Sequence, residues 1–328
     1  MDEPVVLVKD LTKLYRLGTW PRPGHKVVRA VDGVSFEVAA GEAVGFIGPN
    51  GAGKSTTIKM LTGILFPTAG TVRVLGLVPW RQRSLLSRRI GCVFGQRSQL
   101  WYHLPPVETF RVLRSLYDIP RADFERRLKL LREAFQLEAL LGTPVRKLSL
   151  GERMRCEITA SLLHQPAILF LDEPTLGLDI VAKKTIRDLL REANKRDGVT
   201  LFLASHDTSD IERLCDRVLL INQGRVLFDG SLDRLFRDYV TRRVVDVHLE
   251  EPWEGDNLAG SAVQRKSAYH LRLEIGPGRE ALASLLAELA KRCRVRDVAV
   301  SDPPLEDVIY GLYRRPPEEG GAGGGERP

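Results

Sequence analysis

The chain has 328 residues, 43% of them hydrophobic and 28% charged, with a formal net charge of +7. That apolar fraction supports a sizeable core and excludes wholesale disorder, and the length fits one large domain or two of ordinary size. No apolar run approaches the ~20 residues of a membrane helix, and the opening Asp2 and Glu3 give no sign of a signal-peptide core. The four cysteines, Cys92, Cys156, Cys215 and Cys293, are widely spaced. They predict neither a disulfide framework nor a metal site, and a reducing, cytoplasmic setting.

Residues 5–8 read as a short strand, 17–29 (with Gly18, Pro21, Pro23 and Gly24) as a loop or hairpin tip, and 33–38 as a second strand. Ala43–Ile47 is a short apolar run that fits a buried strand. A helix is expected from about Ser55 to Leu65, with Ile58, Leu61, Ile64 and Leu65 at helical spacing and Pro67 as its stop. Residues 71–75 and 90–94 read as strands. From 105 to 165 the pattern is helical and charge-rich, as on solvated helix faces. The run 168–171 suits a strand buried on both faces of a parallel sheet. Helix (181–195), strand (199–204), helix (210–215) and strand (218–221) follow, and this alternation predicts an α/β core. Near Asp238 the character changes. Half-exposed strands at 242–250 and 269–274, a helix at 280–291, a strand at 295–300 and a short helix at 305–312 predict a small α+β domain over 239–314. The glycine-rich tail, 315–328, is expected to be disordered.

Between the run 43–47 and the next helix lies Gly48-Pro49-Asn50-Gly51-Ala52-Gly53-Lys54-Ser55-Thr56, which fits GxxxxGK[ST] in a strand–loop–helix setting. Glycines let backbone N–H groups turn inward around phosphate oxygens, and the helix N-terminus adds partial positive charge. Lys54 is placed to reach the outer phosphates and the Ser55 hydroxyl to ligate Mg²⁺. Asp172, ending an apolar run, is the candidate carboxylate for the same ion, directly or through a water. Its neighbour Glu173 is the candidate base for an attacking water. A helix N-cap is the plain structural alternative for the pair. Asn194-Lys195-Arg196-Asp197 matches the NKxD guanine-reading motif of GTPases, but it ends a helix instead of following a strand, and is read as a polar helix C-terminus.

Further motifs make the chain resemble the ATPase subunit of an ATP-binding cassette (ABC) transporter over roughly residues 5–235. Leu148-Ser149-Leu150-Gly151-Glu152 is similar to the family signature, and it precedes Ile168-Leu169-Phe170-Leu171-Asp172-Glu173-Pro174. Gln96 resembles the lid glutamine, Leu178-Asp179 the aspartate loop, His206 the switch histidine, and Tyr15 the aromatic that stacks on adenine. The resemblance implies an α/β fold: a P-loop NTPase cassette with a RecA-like core, an antiparallel β subdomain and a helical subdomain (about 98–165). Residues 1–238 would then form the nucleotide-binding domain, with the small C-terminal α+β domain appended. ATP and Mg²⁺ are the implied cofactors. Gln96 would reach Mg²⁺ or the attacking water, and His206 the γ-phosphate. Ser149 and Gly151 would face the γ-phosphate bound to the other subunit, and Asp179 would link the two sites, so the implied assembly is a homodimer with composite ATP sites. Two residues depart from the family pattern: Leu150 stands where glycine is usual, and Glu152 where glutamine is common.

Without an apolar span, the resemblance implies docking on separate integral-membrane permease subunits at the inner face of the cell membrane, powered by ATP-driven dimerisation. Residues 304–308, Pro-Leu-Glu-Asp-Val, lie in a C-terminal domain similar to that of drug, antibiotic and sodium exporters, so export is expected. Trp101, Tyr102 and His103 are candidates either for a groove that receives a permease helix or for packing inside the helical subdomain. No nucleic-acid partner is expected, because basic residues near phosphates and an acidic inner leaflet suffice for the positive charge. Two competing readings remain: a soluble cassette ATPase acting on nucleic acid or ribosomes, and a slow nucleotide-regulated scaffold that Leu150 keeps open.

Overall fold

The computed structural model describes residues 3–17, 26–95, 97–240, 242–253, 255, 257–258, 261–276 and 278–314. Gln96, the segment 18–25 and the tail 315–328 lie outside the described residues. The chain divides into two compact units, residues 1–231 and 232–328.

In the first unit, β1 (Val6–Leu17) pairs antiparallel with β2 (Lys26–Val38) and with β4 (Ala69–Val74) in a three-stranded sheet. Both opening strands run further than the sequence predicts, since pairing continues to Leu17 and Lys26. Exposure alternates along β2 from Val27 to Ala30, as suits a strand with one solvated face. The second sheet has six strands in the order β5-β6-β7-β3-β8-β9. These are β3 (Ala43–Ile47), β5 (Ile90–Phe94), β6 (Ile168–Asp172), β7 (Thr200–Ser205), β8 (Arg217–Asn222) and β9 (Arg225–Ser231). All pairs are parallel except β8–β9. β9 is absent from the sequence reading because its exposure alternates along the strand.

Helices α1 (Lys54–Leu61) and α2 (Arg83–Ser87), then α3 (Pro106–Leu116), α4 (Arg121–Ala134) and α5 (Leu150–Leu162), precede β6, and α6 (Ile180–Asp197) and α7 (Thr208–Leu214) flank β7. Helix α1 stops at Leu61, a turn before the expected end. Gly63 adopts a left-handed φ of 72°, and Ile64 stays exposed, so its helical spacing does not mark a buried face.

The buried strands carry an aromatic cluster that joins the two sheets. Phe202 on β7 lies 5.4 Å from Phe46, 5.8 Å from Phe170 and 5.8 Å from Phe36 of β2, between ring centroids. Such contacts add specific geometry to large apolar burial. Strand register then sets the site. Ile47 pairs with Ser205, Asp172 with Ala204, and Phe94 with Asp172. The C-terminal ends of β3, β5, β6 and β7 therefore align, where open α/β sheets bind ligands.

In the second unit, α8 (Leu232–Tyr239) is followed by β10 (Arg243–Leu249), β11 (Asn257–Leu258), β12 (Ser261–Ser267), β13 (His270–Ile275), α9 (Arg279–Arg292), β14 (Val295–Ser301) and α10 (Leu305–Arg314). The strands form an antiparallel sheet in the order β11-β12-β13-β10-β14. Leu285 and Leu289 of α9 close a core over Val245, Val247, Leu271 and Leu273. The boundary falls one helix earlier than the sequence reading puts it, because α8 packs against α10 and belongs with this unit. Among the described residues no helix is long and apolar enough to cross a membrane.

Phe202→Ala should destabilise the first unit by about 3–5 kcal/mol, the usual cost of emptying a buried aromatic site. Chemical denaturation of the purified variant checks this, and a change below about 1 kcal/mol would contradict the central place given to that ring.

Candidate active site

The glycine-rich loop joins fully buried β3 to α1. Gly53 has a φ of 108°, which side-chain-bearing residues rarely adopt, and a Cβ there would collide with the Ala30 carbonyl. Helix α1 thus starts under a backbone that only glycine accepts. Lys54 donates from Nζ to the Gly48 carbonyl at 2.5 Å and to the Pro49 carbonyl at 3.3 Å. Its ammonium also lies 3.6 Å from Glu173 Oε1. Burial lowers the Lys54 pKa, and the charges of Glu173 and Asp172 oppose that shift.

Ser55 Oγ donates to Asp172 Oδ1 at 3.0 Å, across the gap from α1 to the end of β6. Burial raises the Asp172 pKa, the Ser55 bond pulls it down, and the neighbouring Glu173 charge pushes it up again. Glu173 has a left-handed φ of 55°, an uncommon and strained state for a non-glycine residue. A bond from its N–H to the Ala204 carbonyl, 2.9 Å, holds it there. Its Oε2 meets His206 Nδ1 at 2.8 Å. The loop, Glu173 and His206 line one cavity of about 550 Å³.

A hydroxyl and a carboxylate make a hard oxygen pair, the donor type that Mg²⁺ takes. Among the described residues no group of three or more His, Cys, Asp or Glu side chains could hold a metal. A Mg²⁺ site completed by phosphate oxygens needs no such group, so the residues present fit this ion together with a nucleotide.

Ser149, Gly151 and Asp179 line a different cavity, of about 420 Å³. Ser149 caps α5 in a reciprocal box: its Oγ accepts from Glu152 N at 3.3 Å, and its N–H donates to Glu152 Oε2 at 2.8 Å. Glu152, the departure from glutamine, is therefore a working cap. Asp179 caps α6 through Ala182 N at 2.8 Å. A Cβ on Gly151 would come within 2.8 Å of the Ala182 Cβ, so glycine permits the close approach of α5 and α6. Leu150 sits in the first turn with ordinary helical backbone and a side chain open to solvent.

Tyr15, on β1, lines neither cavity; Lys13 Nζ lies 5.4 Å from its ring centroid. Trp101 and Tyr102 are exposed instead of packed inside the helical subdomain, and Trp101 and Leu104 line a groove of about 640 Å³ beside α3 and α4.

A family profile described as "ABC transporter" matches residues 31–176. The ABC transporter ATP-binding protein NatA of Bacillus subtilis (strain 168) is 34% identical over 211 residues, covering 64% of this chain and 85% of that protein. The Nod factor export ATP-binding protein I of Rhizobium etli is 33% identical over 316 residues, covering 94% of this chain and 93% of that protein. A solved dimeric cassette in a post-hydrolysis state with ADP and Pi is 26% identical, with a TM-score of 0.61, covering 69% of this chain and 98% of that one. The chain belongs to the ABC transporter family. It is an ATP-binding, ATP-hydrolysing subunit of a transporter.

Within this ABC cassette the GTPase-like motif has a structural job. Asn194 Nδ2 donates to the Gly41 and Val199 carbonyls, each at 2.8 Å, and ties the end of α6 to neighbouring loops. It lies at the N-terminal end of β7, the opposite edge of the sheet from the phosphate loop.

One set of polar residues escaped the sequence reading. Asp210, fully buried, accepts from Arg187 Nε at 2.5 Å, from Ser205 Oγ at 3.3 Å and from Thr175 Oγ1. Lys183 Nζ donates to Asp207 Oδ2 at 2.5 Å. This network joins the helix after Asp179, the segment after Glu173 and the turn that carries His206. Its signal was faint: two aspartates just after His206, and two basic residues four apart on α6.

Burial raises the Asp207 pKa, but its bonds to Lys183 and Ser209 outweigh that and hold it down at about 2, against an ordinary 3.8. A carboxylate with a depressed folded pKa contributes stability above its unfolded pKa and loses it as pH falls through the folded value. Lys183→Met should therefore be less stable than the native chain near neutral pH. That gap should shrink as pH falls from about 4 towards 2, as denaturant titrations at several pH values would show. A gap that does not change with pH would contradict the ionic role of Lys183.

Proposed function

We propose that two copies of this chain close around two ATP molecules and drive a separate membrane permease, in the direction of export. The observation that carries the reading is the convergence of Lys54, Ser55, Asp172, Glu173 and His206 at aligned strand ends. Ser149, Gly151 and Asp179 lie apart from that cavity within one chain, which supports a role toward a nucleotide held by a second copy. The dimeric form of the solved relative supports the same assembly. Export is supported by the names of the similar proteins, which include Nod factor export ATP-binding proteins.

In this reading, Lys54 leaves the Gly48 and Pro49 carbonyls to meet nucleotide phosphates, while loop N–H groups and the start of α1 bind the oxygens. Ser55, Asp172 and Gln96 would hold Mg²⁺, which supplies charge neutralisation to the phosphates. The Glu173 carboxylate accepts a proton from the attacking water, and His206 orients that carboxylate through Nδ1. Tyr15 stacks on adenine from β1. The exposed groove at Trp101 and Leu104 receives an apolar permease segment, which would place the chain against the membrane through its partner.

Glu173→Gln should bind ATP with near-native affinity, hydrolyse it at least a hundredfold more slowly, and accumulate as a dimer in light scattering. Undiminished turnover would remove Glu173 from the base role. Ser149→Arg should abolish hydrolysis while ATP binding to the isolated monomer stays within about twofold, because the altered side chain would face only a partner's nucleotide. Loss of monomer binding would contradict a composite site.

A further inference from the structure

Glu157 is a buried carboxylate that the mechanism above does not use. It lies on α5, 5% exposed, two turns beyond the signature end of that helix. Its charge is costly there, and burial raises its pKa, while bonds from Ser98 and from the Gln99 and Leu100 backbone pull it down. Ser98 Oγ donates to Oε1, and Gln99 N donates to Oε2 at 3.2 Å. Gln99 Nε2 adds bonds to the Glu157 carbonyl at 3.0 Å and to Ser161 Oγ at 2.7 Å. Ser161 Oγ in turn donates to the Cys92 carbonyl on β5 at 3.0 Å. The segment that begins two residues after Gln96 is thus fastened to α5 at both ends of one helical turn.

We propose that Glu157 is a positioning residue that makes residues 98–100 and the Ser149 end of α5 move as one body. The proposal rests on the composite-site reading above. The geometry gives the coupling its reach, because about eight residues of helix, roughly 12 Å, separate Glu157 from Ser149. A rigid helix fastened at Glu157 carries any shift of the 98–100 segment to the cap that faces the partner. A carboxylate suits this place because it only accepts, and every group aimed at it is a donor. Glutamine has the same shape, but its amide NH₂ would oppose one of those donors and leave it unsatisfied.

The test uses the full chain with Mg-ATP as the probe, in the Glu173→Gln background, and reads the dimer fraction by light scattering and monomer ATP affinity by titration. Adding Glu157→Gln should raise the ATP concentration needed for half-dimerisation about tenfold, the usual scale for losing a charge-assisted hydrogen bond. Monomer ATP affinity should stay within about twofold. Ser98→Ala removes a donor from the other, exposed side and should give a smaller change in the same direction. The two substitutions should combine less than additively, because they break one contact. If both variants dimerise like Glu173→Gln alone, or if they weaken monomer binding as much as dimerisation, the positioning role is overturned. If Glu173→Gln itself stays monomeric with ATP, the composite-site reading fails first and this inference falls with it.

Discussion

Strand register across the central sheet is the constraint on which the site depends. Residue-by-residue pairing of β3, β6 and β7 brings Gly48, Glu173 and His206 to one edge, although they come from distant parts of the chain. A slip of one residue would move a strand by about 3.3 Å and turn its side chains to the other face. Neither the 3.0 Å bond between Ser55 and Asp172 nor the 2.8 Å contact between Glu173 and His206 would survive that slip. Phe202 and its aromatic neighbours hold the register, since each ring is locked between strands that must not slide.

On that frame sits a set of charges that would be unfavourable anywhere else in the core. Burial pulls Lys54 and Asp172 toward their neutral forms; the two carboxylates oppose this at Lys54, and the Ser55 hydroxyl opposes it at Asp172 while the Glu173 charge adds to it. Glu173 holds a backbone state that costs about 1–3 kcal/mol, stabilised by the bond to the Ala204 carbonyl. Backbone strain at Glu173 and desolvation at Lys54 and Asp172 are thus gathered at one place. Beneath it, the buried Asp210 network locks three segments together. Removing one partner of such a buried pair costs about 3–5 kcal/mol, so the parts of the site cannot shift independently.

Much of this was legible in the sequence where the physical cause is local. Strands β3, β6 and β8 read clearly, because burial on both faces makes them continuous apolar runs. β9 did not, because only Phe228 along it is buried and the strand carries no long apolar run. The cap at Ser149 and Glu152 is also local, three residues apart on one helix. What Glu152 does in place of glutamine nevertheless became clear only from its bond to the Ser149 N–H. The division before α8 has no local signal, because α8 alone does not reveal that it packs on α10.

The sequence by itself determined that this chain has a phosphate loop and a carboxylate pair after a buried strand, since each is a contiguous run whose chemistry is written in its own residues; residues 148–152 were legible as a signature only through their resemblance to the family. Tertiary structure decided which of them share a cavity. It placed Glu173 and His206 over the loop, and set Ser149, Gly151 and Asp179 around a second groove. It also fastened residues 98–100 to α5 through Glu157. Those distances join residues far apart in the chain, and only strand register and helix packing set them.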